Sequence, residues 1–561
     1  MRRFTKALLA GVLAVGMVAG FLAAWGYELP EVIVRIEGEQ PPEGAEPAPY
    51  RFGTDFCCVG DVNGDGYDDL LVNHAPFETG YGDAVFPNQV ELYYGGNPMD
   101  DEPDFAFTTD DTTIGMGYSA QYVGRIDESG ETYAAIQVRT YANRFDSWYG
   151  REVWLYQISG DLENEPRYRL SLGYREQGLN VGYSIGPGRT NRPCDLNGDG
   201  YNDVIATKYA GDPPQMAIFR GGGDFEGIPD LAVNSDALSW LKAKYCSGYD
   251  VNNDGYDDIL IEGLNYNSGE IWHYLFLGGN PMDSIPAFHF SSDEYQGKEV
   301  RYGFSLLPDV NGDGYDDMGF NYYIVPRERW DEDGALVFFG SDEPDKVPDL
   351  DLEGHTNPFS LQGEIAGGDF NGDGVGDIIF INPLGNQLEG EINFFFGSPW
   401  IDEEADFVIN SSDVFDLPYF GNHAGGVGDY NGDGIRDFVC QSWTARDPAT
   451  VVILAGNHDW EVSTPYVKRD ARALSLTINP NPFNSLTSIR YDLPSTGSVD
   501  LAIYDLGGRK VASLKNGGVV SDQGGSLEWA SDKSGIYFAV LRFTNWSGAV
   551  QIRISKLVCI R

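Results

Sequence analysis

The chain has 561 residues, and 86 Asp and Glu against 37 Lys and Arg give it a formal net charge of −49 at pH 7. Such an acidic surface repels nucleic acids and anionic membranes, so we expect neither as a partner. Six cysteines in this length do not form the disulfide framework of a small secreted domain, and we expect buried free thiols.

The first 26 residues have the pattern of a targeting segment. Arg2, Arg3 and Lys6 form a basic start, and residues 7–25 form an apolar run. The length of this run lies between that of a signal peptide and that of a membrane anchor, and the small residues near its end favour cleavage. We predict a signal peptide at residues 1–26 and no integral membrane span after its removal. An uncleaved N-terminal anchor is the alternative.

A nine-residue phrase, Asp-x-Asn-x-Asp-Gly-x-x-Asp, occurs six times along the chain. Oxygen donors at positions 1, 3, 5 and 9, with the carbonyl of position 7, suit the hard cation Ca²⁺. A single copy is compatible with a solvated Asp-Gly turn, whereas six complete copies predict about six structural calcium sites. The predicted ligands are Asp61, Asn63, Asp65, Tyr67, Asp69, Asp195, Asn197, Asp199, Tyr201, Asp203, Asp250, Asn252, Asp254, Tyr256, Asp258, Asp309, Asn311, Asp313, Tyr315, Asp317, Asp369, Asn371, Asp373, Val375, Asp377, Asp429, Asn431, Asp433, Ile435 and Asp437.

These loops do not follow the EF-hand pattern, which requires a Glu at position 12 and flanking helices. Position 12 of the first copy is Val72. Short apolar runs that are too short for helices follow the loops, at residues 70–72, 204–206, 259–261, 378–380 and 438–440. The pattern therefore predicts a metal in a strand–loop–strand hairpin, and together with the spacing it excludes dockerin-type loop pairs.

The spacing of the loops predicts seven repeats. From Asp195 onward the copies start 55 to 60 residues apart, but Asp61 and Asp195 are 134 residues apart. A degenerate copy lies in this gap at residues 123–133, where Arg125, Ser129 and Tyr133 replace three ligands. We therefore expect seven repeats and six metals, and a long period with several strands per repeat is typical of a propeller or an array.

A second phrase, out of phase with the first, predicts the outer strand of each blade. It has alternating residues after Pro or Ala, at residues 103–107, 166–170, 229–233, 286–290, 348–352 and 405–409. After the last loop only a strand at residues 451–454 follows, and a seventh copy of the phrase stands at residues 30–36. We predict that this N-terminal strand completes the last blade and closes the ring, which removes exposed sheet edges.

Together these motifs resemble the FG-GAP repeat family, to which integrin alpha-chain propellers belong. The resemblance rests on the six acidic loops and on aromatic–glycine pairs before them: Phe52-Gly53, Tyr302-Gly303 and Phe420-Gly421. It implies an all-β, seven-bladed β-propeller over residues 30–466, with Ca²⁺ in the blade hairpins and ligand contacts on the loops of one face. The second repeat departs from the family pattern, which puts its metal in doubt.

The C-terminal segment differs in composition. From Ala471 onward, ten Lys and Arg stand against six Asp and Glu, while the rest of the chain has a net charge of −53. Such a shift indicates a domain boundary. About seven short strands, among them residues 487–491, 499–504, 536–541 and 550–554, predict a small Ig-like β-sandwich over residues 473–561.

Phrases within this segment resemble the C-terminal sorting domain of type IX secretion cargo. They occur in order at residues 479–484, 491–494, 503–509, 534–538 and 556–557. The resemblance implies contact with a secretion machinery, export across two membranes, and a secreted or outer cell-surface location. The last four residues, 558–561, depart from the family's usual ending, and an ordinary terminal sandwich is the alternative.

We expect a non-enzymatic protein. The string Gly182-Tyr-Ser184-Ile-Gly186 fits Gly-x-Ser-x-Gly, but Pro187 and Gly188 follow it where a nucleophile elbow requires a helix. Similar strings at residues 117–119 and 303–305 make it a strand motif of the repeat, and the six histidines form no zinc-ligand pair. The favoured function is a binding or adhesion module for a protein or glycan. A carbohydrate-active lyase or hydrolase on a calcium-stabilised propeller is the alternative.

Overall fold

In the computed structural model the chain divides into two compact units, Met1–Glu461 and Val462–Arg561. All elements of the described residues are strands or turns, and no helix among them is long and apolar enough to cross a membrane. The predicted signal peptide lies outside the described residues. The structure describes residues 29–38, 51–75, 89–109, 114–140, 150–170, 182–185, 192–209, 215–223, 225–234, 240–264, 270–282, 284–295, 298–324, 333–353, 364–382, 390–399, 401–403, 405–410, 420–442, 449–460, 475–479, 483–492, 497–505, 509–515, 519–520, 525–531, 533–545 and 550–560.

The first unit is built from four-stranded antiparallel sets, which we number in chain order. Set 1 is β2 (Arg51–Gly60), β3 (Asp69–Ala75), β4 (Gln89–Tyr93) and β5 (Phe105–Thr108). Set 2 is β6 (Ile114–Gly124), β7 (Tyr133–Thr140), β8 (Gly150–Gln157) and β9 (Tyr168–Leu170). Set 3 is β10 (Gly182–Ser184), β11 (Val204–Tyr209), β12 (Gln215–Phe219) and β13 (Leu231–Asn234). A single parallel bridge between Gly182 and Arg151 joins sets 2 and 3 into one sheet.

The next three sets repeat this order. Set 4 is β14 (Trp240–Ser247), β15 (Ile259–Leu264), β16 (Ile271–Phe276) and β17 (Phe288–Ser291). Set 5 is β18 (Lys298–Leu307), β19 (Asp317–Ile324), β20 (Asp333–Phe338) and β21 (Leu350–Glu353). Set 6 is β22 (Glu364–Gly368), β23 (Asp377–Asn382), β24 (Glu391–Phe395) and β25 (Phe407–Asn410). The fourth strand of each set from 1 to 6 begins within a copy of the recurring outer phrase.

Set 7 takes its fourth strand from the other end of the unit. It contains β26 (Phe420–Gly428), β27 (Asp437–Ser442) and β28 (Thr450–Leu454), and β1 (Val32–Glu37) pairs antiparallel with β28. Arg35 lies opposite Val452 and Ile36 opposite Val451. Val34 and Ile36 are buried, Arg35 and Glu37 are exposed and Ile33 is half-buried, so the strand has the alternation of a half-buried strand. β1 therefore occupies the outer position of set 7.

The apolar core lies between neighbouring sets. Phe107 of set 1 packs with Met116 and Tyr156 of set 2, and comparable clusters join each following pair up to sets 5 and 6. Phe370 and Phe438 pack edge to face with their ring centroids 5.5 Å apart where sets 6 and 7 meet. A further cluster joins set 7 to set 1 through residues such as Phe56, Leu70, Tyr430, Val439 and Val451.

The hairpin loops between the first and second strands also hold neighbouring sets together. We call them loops 1 to 7, by set. The backbone N–H of position 8 in one loop donates to the carbonyl of position 1 in the preceding loop. These bonds run from Asn202 to Arg125, Asp257 to Asp195, Asp316 to Asp250, Gly376 to Asp309 and Arg436 to Asp369. The same bond, 2.9 Å long, runs from Asp68 of loop 1 to Asp429 of loop 7.

A glycine after the third strand allows the chain there to pass close to position 8 of the hairpin loop. A Cβ atom at these glycines would lie 1.8–2.5 Å from the carbonyl oxygen of position 8 in the same set, a distance that real Cβ contacts do not reach. The glycines are Gly95, Gly221, Gly278, Gly340, Gly397 and Gly456. The repeat therefore requires glycine here for lack of space.

We expect Gly340→Ala to destabilise the first unit by about 1–3 kcal/mol, the usual cost of overpacking. The added methyl group would lie 2.2 Å from the carbonyl oxygen of Asp316 and 2.5 Å from that of Val251, and backbone atoms yield less readily than side chains. Thermal and urea unfolding measure the loss. Ser341→Ala at the neighbouring half-buried position is the control, with a change of no more than about 0.5 kcal/mol. Equal melts for the two variants would contradict the steric explanation.

The second unit contains two sheets that share one core. One sheet has the order β29 (Ser475–Asn479), β30 (Leu486–Asp492), β34 (Gly525–Ala530). The other has the order β32 (Lys510–Lys515), β31 (Gly497–Asp505), β35 (Gly535–Asn545), β36 (Val550–Cys559), with β33 (Val519–Val520) paired to β31. Ile489 and Trp529 of the first sheet pack in one cluster with Leu501 and Leu541 of the second. The four strand segments named from the sequence lie within β30, β31, β35 and β36.

Candidate metal centres

All six acidic phrases lie where the sequence predicts them, in the hairpin between the first and second strands of a set. Loop 1 joins β2 to β3, and Asp69 at position 9 is the first residue of β3. Asp317, Asp377 and Asp437 likewise begin the second strands of their sets. The positions are therefore fixed by strand pairing on both sides of the loop.

The carboxylate at position 1 organises the turn. In loop 1, Asp61 Oδ1 accepts bonds from the backbone N–H groups of Gly64 at 2.6 Å and Asp65 at 3.0 Å, and Oδ2 accepts one from Gly66 at 2.8 Å. The side chain of Asn63 bonds both the backbone and the carboxylate of Asp65. Aspartate and asparagine favour such side-chain-to-backbone turns. These contacts place the donors of positions 1, 3 and 5 around one short loop.

The carboxylate at position 9 joins three strands. Asp69 Oδ2 accepts a bond of 2.9 Å from the backbone N–H of Val62, and Oδ1 accepts one of 2.8 Å from Gly95 after the third strand. The position-9 carboxylates of the other five acidic loops make the same two contacts. Position 9 is therefore a structural clamp as well as a predicted ligand.

Burial makes these clamps unfavourable places for negative charge. Loss of solvent raises the pKa of Asp69 and Asp203 to about 7, and that of Asp258, Asp317 and Asp437 to about 8. Backbone hydrogen bonds lower these pKa values, whereas the carboxylates at positions 1 and 5 raise them. A cation among the three carboxylates would reverse this repulsion.

The donor set of each loop fits Ca²⁺: three carboxylates, one amide oxygen and one backbone carbonyl, all of them hard oxygen ligands. In loop 4 the buried Oδ1 atom of Asn252, at position 3, has no hydrogen-bond partner among the described residues. In the five other acidic loops the same oxygen accepts the N–H of position 5. Buried acceptors are rarely left unpaired, so loop 4 has an oxygen ready for a ligand.

The structure does not gather these donors into a finished cage. Within the described ranges no three His, Cys, Asp or Glu side chains converge closely enough to hold a metal ion. In loop 1 the carboxylates of Asp61 and Asp69 are turned toward backbone amides instead. The fit to calcium therefore rests on the chemistry and order of the donors.

Loop 2 replaces the donors by a network of hydroxyl groups. β6 ends at Gly124 and β7 begins at Tyr133, which confirms the alignment made from the sequence. Asp127 at position 3 accepts bonds from the backbone and hydroxyl of Ser129, from Tyr133 Oη at 2.9 Å and from Tyr168 Oη at 2.8 Å. Burial opposes the charge of Asp127, but these bonds outweigh it and lower its pKa. Loop 2 is thus tied together without a cation.

Sequence reasoning missed the role of position 8. The Asp68 carboxylate accepts the backbone N–H of Asp429 at 2.8 Å, and Asp257 and Asp316 accept those of Asp195 and Asp250 at 2.7 and 3.0 Å. Each of these loops is therefore bonded to the preceding loop in both directions. The available signal was the repeated Asp-Asp pair before the apolar run in loops 1, 4 and 5.

A second missed group is the acid in the outer phrase. Its carboxylate accepts the backbone N–H of the residue ten positions earlier, which fixes the turn between the third and fourth strands. The pairs are Asp104 with Tyr94, Asp230 with Arg220, Asp349 with Phe339 and Asp406 with Phe396, each at 2.8 Å. These acids have a structural role.

The remaining candidates from the sequence are one serine, one histidine and the cysteines. Ser184 lies in β10, which pairs with β11, so the Gly-x-Ser-x-Gly string begins in a strand of the repeat. His289 is exposed on β17. All six cysteines are free thiols, and burial raises the pKa of Cys57 and Cys194.

Comparison with known proteins agrees with the repeat pattern. A family model described as FG-GAP-like repeat matches residues 195–261. The chain is 24% identical to integrin alpha-4 of Xenopus laevis over 193 residues, which are 33% of this chain and 17% of that protein. It is 25% identical to integrin alpha-PS3 of Drosophila melanogaster over 185 residues, 30% of this chain and 15% of that protein. The match thus spans less than a fifth of either relative.

Two solved structures align with much of the chain. One is a crystal structure of a eukaryotic initiation factor, with a TM-score of 0.30, 8% identity, and coverage of 88% of this chain and 92% of that one. The other is the NanB sialidase of Streptococcus pneumoniae, with a TM-score of 0.32, 11% identity, and coverage of 76% and 71%. Residues 195–261 thus match an FG-GAP-like repeat, and about a third of this all-β chain has a distant similarity to integrin alpha chains.

Proposed function

We propose that the first unit is a closed, seven-bladed β-propeller in which each four-stranded set is one blade. Four features support this proposal: the seven sets, the core clusters between neighbours, the outer strand β1, and the 2.9 Å bond between Asp68 and Asp429. Because loop 1 bonds to loop 7 as each of loops 3 to 7 bonds to its predecessor, the first and last blades are neighbours. The pairing of β1 with β28 covers the edge that set 7 would otherwise leave open at its third strand.

We further propose that loops 1 and 3 to 7 each hold one Ca²⁺ through positions 1, 3, 5, 7 and 9. The ion supplies the positive charge that three clustered carboxylates lack. The protein contributes turns already shaped by the position-1 aspartates, such as Asp61, and clamps such as Asp69 that tie the loop to the third strand. Calcium binding therefore stabilises the scaffold.

We expect equilibrium calcium titration of the whole chain to give about six sites of extracellular type, with Kd near ~10⁻⁴ M. Asp65→Ala removes the position-5 carboxylate of loop 1 and lowers the count by one. Ser129→Ala removes the side chain at the same position of loop 2 and leaves the count unchanged. A count of seven, or a loss on Ser129→Ala, would refute the assignment of loop 2 as metal-free.

The function we propose is that of a secreted or cell-surface module that binds or adheres to a protein or glycan. The observation that carries it is the distant homology to integrin alpha chains in a unit whose recurrent acids serve the scaffold. A rigid ring leaves its less regular loops free to vary, and binding residues are often found on such loops.

The second unit is proposed to direct export. Its phrases resemble a type IX sorting domain, and the described residues of this unit form two sheets with one core, which supports a separate domain. Deletion of residues 473–561 should retain the protein inside the producing cell, and cell fractionation measures this. Equal export of the shortened chain would favour an ordinary terminal sandwich.

Binding is tested on a glycan array and on immobilised extracellular proteins, in the presence of calcium and after chelation. Saturable, calcium-dependent binding without loss of polymer length supports a binding module. The same samples are assayed for polysaccharide depolymerisation. Turnover of a glycan would establish the carbohydrate-active alternative in place of binding.

A further inference from the structure

A cavity of about 410 Å³ lies in the first unit. It is lined by residues of the first strands and of the loops that follow them, and all seven sets contribute. It is separate from the donor sets of the calcium loops. Its volume falls in the lower part of the range typical of small-molecule sites. We call it the axial cavity.

The charge in this cavity is opposite to that of the whole protein. Among the described residues its lining carries two guanidinium groups, Arg192 and Arg436, against one carboxylate, Asp68. Arg436 Nη1 lies 2.9 Å from Asp68 Oδ2, so this pair is neutral as a whole. Arg192 therefore gives the cavity a net positive charge in a chain of net charge −49.

An aromatic ring and a more distant carboxylate lie next to Arg192. Its guanidinium carbon lies 4.4 Å from the ring centre of Tyr249, a buried side chain, in a cation–π contact. Asp316 lies within electrostatic reach, but its oxygens accept the backbone N–H groups of Asp250 and Asp309. The ring of Tyr249 thus orients the guanidinium, while both oxygens of Asp316 already accept backbone N–H groups.

We propose that the axial cavity binds a small organic monocarboxylate, with Arg192 as the main binding residue. The planar fork of arginine matches the two oxygens of a carboxylate, and an oriented side chain loses little entropy on binding. A single negative charge balances the excess of one positive charge in the cavity lining. A phosphate carries about −1.5 to −2 at neutral pH, so it would exceed that charge and face Asp68. A polyanion would be repelled by the acidic surface.

This inference goes beyond the proposed adhesion and does not depend on what the outer loops bind. The test is calorimetric titration of benzoate, galacturonate and inorganic phosphate into the calcium-saturated full chain at constant ionic strength. We expect one saturable site for a monocarboxylate and weaker binding of phosphate. Arg192→Gln should weaken carboxylate binding about ten- to hundredfold, since hydrogen bonds to charged groups contribute about 1.5–3 kcal/mol.

Arg169→Gln is the matched control, because Arg169 is also an exposed arginine over an aromatic ring, 4.3 Å from Trp154, but does not line the cavity. Its carboxylate affinity should equal that of the native chain. Saturation-transfer NMR on benzoate, with galacturonate as competitor, gives a readout on the unmodified protein should Arg192→Gln fold poorly. No binding of either monocarboxylate with Kd below about 1 mM, phosphate binding as tight as carboxylate, or equal effects of the two variants would overturn the proposal.

Discussion

We expect chelation of calcium by EDTA to lower the melting temperature of the first unit by more than about 10 °C, on the usual scaling of free energy with melting temperature. Six loops place eighteen carboxylates at positions 1, 5 and 9. At millimolar calcium and a Kd of ~10⁻⁴ M each of the six proposed sites, if independent, would contribute about 1.4 kcal/mol, or about 8 kcal/mol in total. That sum is comparable with the whole stability of a typical domain.

Differential scanning calorimetry of the full chain, with and without EDTA, measures the effect. Excess calcium should restore the original melt, which separates metal loss from direct action of the chelator. Asp65→Ala should reduce the EDTA-induced shift by about one sixth if the sites are independent, whereas Ser129→Ala in loop 2 should leave it intact. An identical melt before and after chelation would refute structural calcium.

Removal of β1 is the second change with a large expected effect. Deleting residues 30–38 takes away the antiparallel partner of β28 and the buried side chains Val34 and Ile36. The deletion exposes the edge of set 7 and reopens the cluster that joins it to set 1. We expect loss of about 2–5 kcal/mol or more, because burial of Ile36 alone is worth roughly that range in large-to-small substitutions.

A pair of point variants tests whether β1 stabilises the unit by burying its inward-facing side chains. Ile36→Asp places a charge at a side chain that is 2% exposed, whereas Val32→Asp places it in the same strand at a side chain that is 37% exposed. The first should melt far below the native chain and the second close to it. If the deletion and Ile36→Asp both melt like the full chain, β1 does not complete set 7.

Much of the first unit could be predicted because its information is local and repeated. The six phrases fix the hairpins, and the degenerate copy around Asp127 shows a seventh by its spacing alone. The Gly-x-Ser-x-Gly string can be assigned to a strand from the sequence, because Ser184 lies in a phrase that recurs in other repeats. In each case a short segment, compared with its repeated copies along the chain, is enough to predict the local structure.

The missed features depend on contacts between distant parts of the chain. Asp68 looks like a variable position until its partner Asp429 is known. The requirement for glycine at position 340 becomes visible only when the fold brings the carbonyl oxygens of Asp316 and Val251 next to it. Arg192 and Arg436 are far apart in the sequence, and the fold brings them to one cavity. Contacts between residues so far apart in the sequence leave no periodic pattern from which they could be predicted.

The pairing of β1 with β28 also sets an order of events during synthesis. β1 is the first described strand to be made, yet its partner is the last strand of the first unit. The same holds for the bond between Asp68 and Asp429. The nascent chain must therefore keep an apolar strand unpaired while six sets form, and long-range pairing of this kind is slow and prone to aggregation. A chain interrupted before Leu454 lacks the partner strand, so both ends of its incomplete array remain open to proteases and chaperones.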